Sequence, residues 1–150
     1  TQFGRLRSII TNEGKVFCTN GTMVAHPFET GTGMTNSGEV TASGLSSEIW
    51  FRAGTYLNTG LIESDLGSKL SLTTKGSGLA ASKPVFLNNN GEIRADGPDS
   101  SIDILETKIQ DGTLSVRDSA TGLVKGDDVT LDSVTINCHY QQPKLHARSQ

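Results

Sequence analysis

The chain is poor in the materials from which membrane spans, nucleic-acid surfaces and most motif-defined active sites are built. No apolar run approaches the roughly 20 residues that a helix needs to cross a bilayer, so a helical membrane span is excluded. Lys and Arg total 13 against 16 Asp and Glu, for a formal net charge of −3. A phosphate-backbone surface needs clustered cations in excess, so nucleic acid is not the expected partner. Aromatic residues make up 5% of the chain, too few for a row of sugar-stacking rings. Helical periodicity is nearly absent; only residues 62–70 offer a helical turn, and Gly67 weakens it. There is no Gly-x-Ser-x-Gly nucleophile elbow and no phosphate-cradling loop ending in Gly-Lys-Ser/Thr.

Metal and acid–base chemistry is equally thin. The histidines are His26, His139 and His146, and on a regular strand His139 faces away from its neighbour Cys138, so the two do not share one metal. Carboxylates gather at residues 96–103 and at Asp127-Asp128, but their spacing does not match a twelve-residue calcium loop; solvated turn acids are the expected reading. Nothing singles out a catalytic pair among Glu29, Glu39, Glu48 and Glu63. No cofactor is expected, and the chain reads as one that binds or assembles rather than catalyses.

Cys18 and Cys138 are the only cysteines. Each lies in an apolar phase, Cys18 with Val16 and Cys138 with Ile136 and Tyr140. Two readings stand: buried free thiols, or a bridge tying the first strands to the last. By loop-entropy reasoning such a bridge would contribute roughly 4–5 kcal/mol.

What is abundant is turn chemistry. Gly, Thr, Ser and Asn account for 58 of 150 residues. Asn-Gly, Asp-Gly or Glu-Gly steps recur between short alternating strands: at residues 12–14, 20–21, 90–91 and 111–112. Such steps supply the positive φ of tight hairpins, so residues 6–26 read as a three-stranded meander and residues 83–95 and 102–118 as further hairpins. The final strand changes parity at Asp132-Ser133, as a β-bulge would produce. Spacing between turns is uneven and shows no fixed repeat. The expected fold is therefore all-β: an antiparallel β-sandwich or barrel of about eight to ten short strands, with little or no helix. It forms a single domain over residues 1–140, with residues 30–44 as a long Gly-rich loop and residues 141–150 as a polar tail. Trp50 and Phe51 must place one ring on each face of their strand, and Trp50 is expected in the core or at a subunit interface.

The stretch GLAASKPVFLNNNGEIRAD, residues 78–96, resembles a phrase found in bacteriophage virion proteins of the head-decoration and cement type. A run of small residues introduces a Pro-Val-apolar strand, an Asn-Gly turn and a second short strand. The resemblance implies a non-enzymatic virion component that self-associates, with a trimer favoured, and binds other virion proteins. Positive charge at the two termini (Arg5, Arg7, Lys144, Arg148) together with Trp50 marks the expected subunit contacts. Two further classes share the composition: a secreted fimbrial subunit or adhesin at the cell surface, which a Cys18–Cys138 bridge would suit, and a small carbohydrate-binding β-sandwich.

Overall fold

The computed structural model describes residues 2–6, 9–27, 31–74, 83–117 and 123–138. Among them the strands follow one another in threes. The first coil holds β1 (Gln2–Leu6), β2 (Ile10–Asn12) and β3 (Lys15–Thr19); the second holds β4 (Gly21–Ala25), β5 (Thr32–Asn36) and β6 (Glu39–Ser43). The third holds β7 (Glu48–Arg52), β8 (Thr55–Asn58) and β9 (Leu61–Asp65), and the fourth β10 (Lys69–Thr73), β11 (Val85–Leu87) and β12 (Glu92–Asp96). The fifth holds β13 (Ser101–Leu105), β14 (Lys108–Gln110) and β15 (Thr113–Val116), and the last β16 (Leu123–Asp127), β17 (Thr130–Asp132) and β18 (Thr135–Cys138).

Each strand pairs in parallel with the strand three places later. The result is three six-stranded sheets: sheet A (β1-β4-β7-β10-β13-β16), sheet B (β2 through β17) and sheet C (β3 through β18). This is a β-solenoid of about five full turns, not an antiparallel sandwich or barrel. A parallel pair needs a long crossover between its strands; here the crossover is the other two sides of the coil.

The alternating sequence pattern fills the interior with rows that run along the axis. Sheet A contributes Met23–Ile49–Leu70–Ile102–Val124 and Ala25–Phe51–Leu72–Ile104–Gly126. Sheet B contributes Ile10–Met34–Tyr56–Phe86–Ile109–Leu131. Sheet C contributes Val16–Val40–Ile62–Ile93–Leu114–Ile136, and beside it Cys18–Ala42–Ser64–Ala95–Val116, which the register extends to Cys138. Phe51, Tyr56 and Phe86 meet inside this core, with centroids 4.9–5.5 Å apart in edge-on and stacked contacts. The buried Tyr56 hydroxyl lies within hydrogen-bond distance of the carbonyl oxygens of Arg52 (2.7 Å) and Ala25 (3.0 Å), which share its one proton.

The corner between sheets B and C explains the Asn-x-Gly repeats. Asn12, Asn36, Asn58 and Asn88 stack inside this corner, each amide Nδ2 donating to the next Oδ1 at 2.7, 2.7 and 2.6 Å. The same amides also reach backbone carbonyls of the following coil, as Asn36 does to Leu61 at 3.1 Å. Two residues after Asn36 and Asn58, Gly38 and Gly60 are packed against the preceding coil. A Cβ on Gly38 would lie 2.1 Å from the Gly14 carbonyl oxygen, and one on Gly60 2.1 Å from that of Gly38. Those carbonyls accept from Glu39 and Leu61 at 2.8 and 2.9 Å. Of Gly14, Gly21, Gly91 and Gly112, only Gly112 has a positive φ. Close approach between coils, not hairpin geometry, is what demands glycine at Gly38 and Gly60.

Several sequence expectations change accordingly. The Asn-Gly steps turn the chain from one sheet to the next instead of reversing it. Residues 31–44 are not a loop: they carry β5 and β6, and Met34, Asn36, Val40 and Ala42 are buried there. Residues 62–70 make no helical turn; Leu66 and Gly67, both with positive φ, join β9 to β10. The parity change at Ser133 is the corner between β17 and β18, where Ser133 has φ 58°. A repeat does exist. Glu48, Lys69, Ser101 and Leu123 are successive partners, giving steps of 21, 32 and 22 residues. The long step spans residues 74–84, between β10 and β11, and breaks the regularity that the sequence would otherwise display.

Candidate functional site

Side chains that point away from the core form three outer faces, and among the described residues that of sheet A carries a groove. It holds about 340 Å³ and runs across the third to sixth coils, between Glu48 and Trp50 at one end and Lys125 and Asp127 at the other. Its floor is set by register: Trp50, Ser71, Asp103 and Lys125 are successive partners in one outer row, and Glu48 and Lys69 in the next. Lys69 Nζ lies 2.6 Å from Asp103 Oδ2 and 3.7 Å from Glu48 Oε1. Ser71 Oγ donates to Glu48 Oε1 at 2.8 Å. Burial alone would disfavour the Lys69 ammonium, but the Asp103 hydrogen bond and the charges of Asp103 and Glu48 outweigh it and hold the pKa above the ordinary lysine value.

Trp50 is half-buried, as its place beside the fully buried Phe51 requires. The Arg52 guanidinium stacks on the indole at 4.2 Å from the ring centroid. The Trp50 indole Nε1 is buried and has no hydrogen-bond partner among the described residues. Beside the ring in register, Val24 is only 2% exposed. The face thus combines an aromatic anchor with a surround of charge pairs.

The outer face of sheet C is organised around one cation. Arg94 Nη2 and Nε both lie 2.6 Å from Glu63 Oε1, Nη1 lies 3.3 Å from Glu92 Oε2, and Nε lies 3.6 Å from Asp96 Oδ2. Burial raises the Glu63 pKa above its usual value despite the Arg94 bond, and Asp96 and Asp65 push in the same direction. Glu39, more open, is lowered by its bond from Lys15, which lies 2.9 Å away. These pairs tie neighbouring coils together. Glu39, Glu48 and Glu63 are each engaged by a cation, and no two of them form an isolated acid–base pair. Among the described residues no three His, Cys, Asp or Glu side chains converge on a metal-binding point.

Of the residues expected at contacts, Trp50 lies in the groove. Arg5 is at a backbone position in β1, and Arg7, Lys144 and Arg148 lie outside the described residues, as does the tail at 141–150. Cys18 is a buried free thiol whose Sγ sits 3.3 Å from the Gly21 carbonyl oxygen. The intrachain bridge is ruled out by topology: β3 and β18 are the two edges of sheet C. Five interstrand steps separate them, about 24 Å, several times disulfide reach. Lys69 and Asp103 had no sequence signal as site residues, because their pairing with Glu48 and each other depends on steps of 21 and 32 residues that only the coil register reveals, whereas Arg52 meets Trp50 within one strand. No protein-family model, curated protein or solved structure matches the chain. Among the described residues no helix is long and apolar enough to cross a membrane.

Proposed function

We propose that the chain is a non-enzymatic structural element of a phage virion, a stiff solenoid body that binds neighbouring subunits through the outer face of sheet A and self-associates as a trimer. The observation that carries this reading is the half-buried Trp50, stacked under Arg52 and bordered by Lys69, Asp103 and Glu48. An aromatic anchor inside a ring of polar pairs has the composition of an interface core and rim. The resemblance of residues 78–96 to head-decoration proteins supplies the particle. An oligomer seated on that face would cover the exposed part of the Trp50 ring.

Light scattering on a size-exclusion column tests this. The expected mass is three times the chain's 15.9 kDa, falling toward one chain in Trp50→Ala. A monomer at every concentration overturns the reading. The same groove favours a second reading, a glycan-binding module, because one ring flanked by carboxylates and an ammonium is also suited to a sugar. Trp50 is the sole tryptophan, so its fluorescence separates the two: a shift with protein concentration supports assembly, and a saturable shift with added oligosaccharide supports glycan binding.

A further inference from the structure

Two leucines project from the corner between sheets C and A. Leu45, between β6 and β7, is 81% exposed, and Leu66, between β9 and β10, is 57% exposed. They stand on successive coils and close together. A Cβ on Gly67 would lie 2.6 Å from Leu45 Cδ2, so the Leu45 side chain lies against the residue next to Leu66. Singly exposed apolar side chains are ordinary; a neighbouring pair raised on two turns forms a ridge. Leu66 also has φ 51°, a left-handed conformation unfavourable for a bulky side chain. Most of the described non-glycine residues with positive φ are Asn or Asp, which tolerate it. A leucine there gives up local stability to display an apolar side chain.

Buried serines hold these turns in place. Ser47, Ser68 and Ser100, each immediately before the sheet A strand of its coil, are 0–2% exposed. Ser47 Oγ donates to the Ser43 carbonyl at 2.5 Å and accepts from the Asn20 amide at 2.8 Å. Ser68 Oγ donates to the Ala42 carbonyl at 2.6 Å and accepts from the Asp65 amide at 2.9 Å. Ser100 Oγ donates to the Asp96 carbonyl at 2.6 Å and accepts from the Gly67 amide at 3.1 Å. Anchors fixed in advance lose little freedom on binding.

Charge decides what the ridge fits. Asp65 and Asp96 are register partners beside it, and Asp99 is exposed on the next turn. A Cβ on Gly97 would lie 3.0 Å from Asp65 Oδ1 and 3.2 Å from the Leu66 nitrogen, so these turns are packed together. Asp65 and Asp99 have no cationic partner among the described residues, and Arg94, 3.6 Å from Asp96, is held by Glu63 at 2.6 Å. On the sheet A side Glu48 and Asp103 already take Lys69. Apolar knobs would also enter a bilayer, but three carboxylates beside them oppose the anionic surface that draws proteins to membranes. We infer that the Leu45–Leu66 ridge is a docking site for a cationic amphipathic segment of another protein. Its apolar side chains pack around the two leucines, and its Lys or Arg side chains lie over Asp65, Asp96 and Asp99. The ridge does not include Trp50, so the inference does not depend on the trimer.

The probe is a synthetic amphipathic helix of Leu and Lys, labelled for fluorescence anisotropy and titrated with the full chain. Saturable binding that weakens with added salt is expected. Leu45→Ser should weaken it at least tenfold, and Asp65→Asn combined with Asp99→Asn severalfold. Glu13→Gln, an exposed acid at a different corner, should leave it unchanged, as a specific rim requires. No saturable binding, equal binding of a Leu/Glu helix, or unchanged binding in Leu45→Ser overturns the inference. So does co-sedimentation with phosphatidylcholine or phosphatidylglycerol vesicles in place of peptide binding, which would make the ridge a membrane contact. Leu66→Asn separates display from folding. It should hold or raise the urea midpoint, because Asn tolerates the backbone conformation, while weakening peptide binding at least tenfold. A fall in the midpoint assigns Leu66 to folding and overturns the inference.

Discussion

The third coil and the last coil carry much the same strand pattern and have very different surroundings. LIESD in β9 and TINC in β18 both place an isoleucine in the sheet C core row. Ile62 is 1% exposed and Ile136 50%. The corner differs as well: Asn58 and Gly60 stack between neighbours in the third coil, while Ser133 and Val134 stand at the equivalent place in the last. In a solenoid a side chain is buried by the coils above and below it. The same apolar letter therefore contributes different amounts of stability according to its distance from an end.

The sharpest way to break this comparison is at the glycine corner. Gly60→Ala would put a Cβ 2.1 Å from the Gly38 carbonyl oxygen; it should abolish cooperative folding as followed by circular dichroism. Val134 shows that the same position in the last coil accepts a side chain, so Val134→Ala should leave the midpoint within a few degrees.

Next comes the core. Phe51→Ala removes a fully buried ring that touches Tyr56 and Phe86, at an expected cost of about 3–5 kcal/mol. Ile136→Ala in an isolated chain should cost about 1 kcal/mol or less, since half of that side chain is already in water. Equal losses in urea titrations would sink the claim that position along the axis governs burial.

The amide ladder gives a third contrast. Asn58→Ala removes one acceptor of the Asn36 Nδ2 and the side-chain donor to the Asn88 Oδ1, both buried, and should cost about 2–4 kcal/mol. Ser133→Ala, at an exposed corner, should be near neutral by the same measurement.

The smallest effect is in pH. Because the Glu63 carboxyl is raised above its ordinary value of 4.5, its contribution is favourable below that value and is lost as pH rises through the raised pKa. Glu39 runs the other way: lowered by Lys15, it stabilises above 4.5 and loses that contribution as pH falls through its lowered pKa. Glu63→Gln should flatten the decline just above pH 4.5 and leave the acid limb intact. Asn137, at the Glu63 position of the last coil, should add no such slope when changed to Asp, because it is exposed there.

Some of this architecture was legible without coordinates. Strand content, the absence of helix among the described residues, and the opposite faces of Trp50 and Phe51 all follow from period-two alternation. The direction of pairing did not. Asn-Gly steps record that the chain turns, and a hairpin and a solenoid corner both satisfy them; what separates the two is whether the next strand meets its neighbour in sequence or one about 22 residues away. That distance was obscured by the 32-residue step from Lys69 to Ser101. The Gly/Thr-rich stretch at residues 31–44 looked unstructured because its buried side chains, Met34, Asn36, Val40, Thr41 and Ala42, are few and include an amide and a hydroxyl. Its ladder partners Asn12 and Asn58 lie in other coils. The groove was invisible for the same reason, since Lys69, Asp103 and Trp50 are neighbours only through the coil.

The residues inserted between β10 and β11 point to a last consequence. They lengthen one coil by about ten residues and leave the register of sheets A, B and C unbroken on either side. Chain added at a corner therefore changes nothing along the axis, whereas a whole extra coil of about 22 residues would add one strand spacing, near 4.8 Å. Contacts stay equally local however many coils are stacked, so each added coil carries the same loop-closure entropy as the one before. Reach is counted in coils, and residue number is free to vary around it.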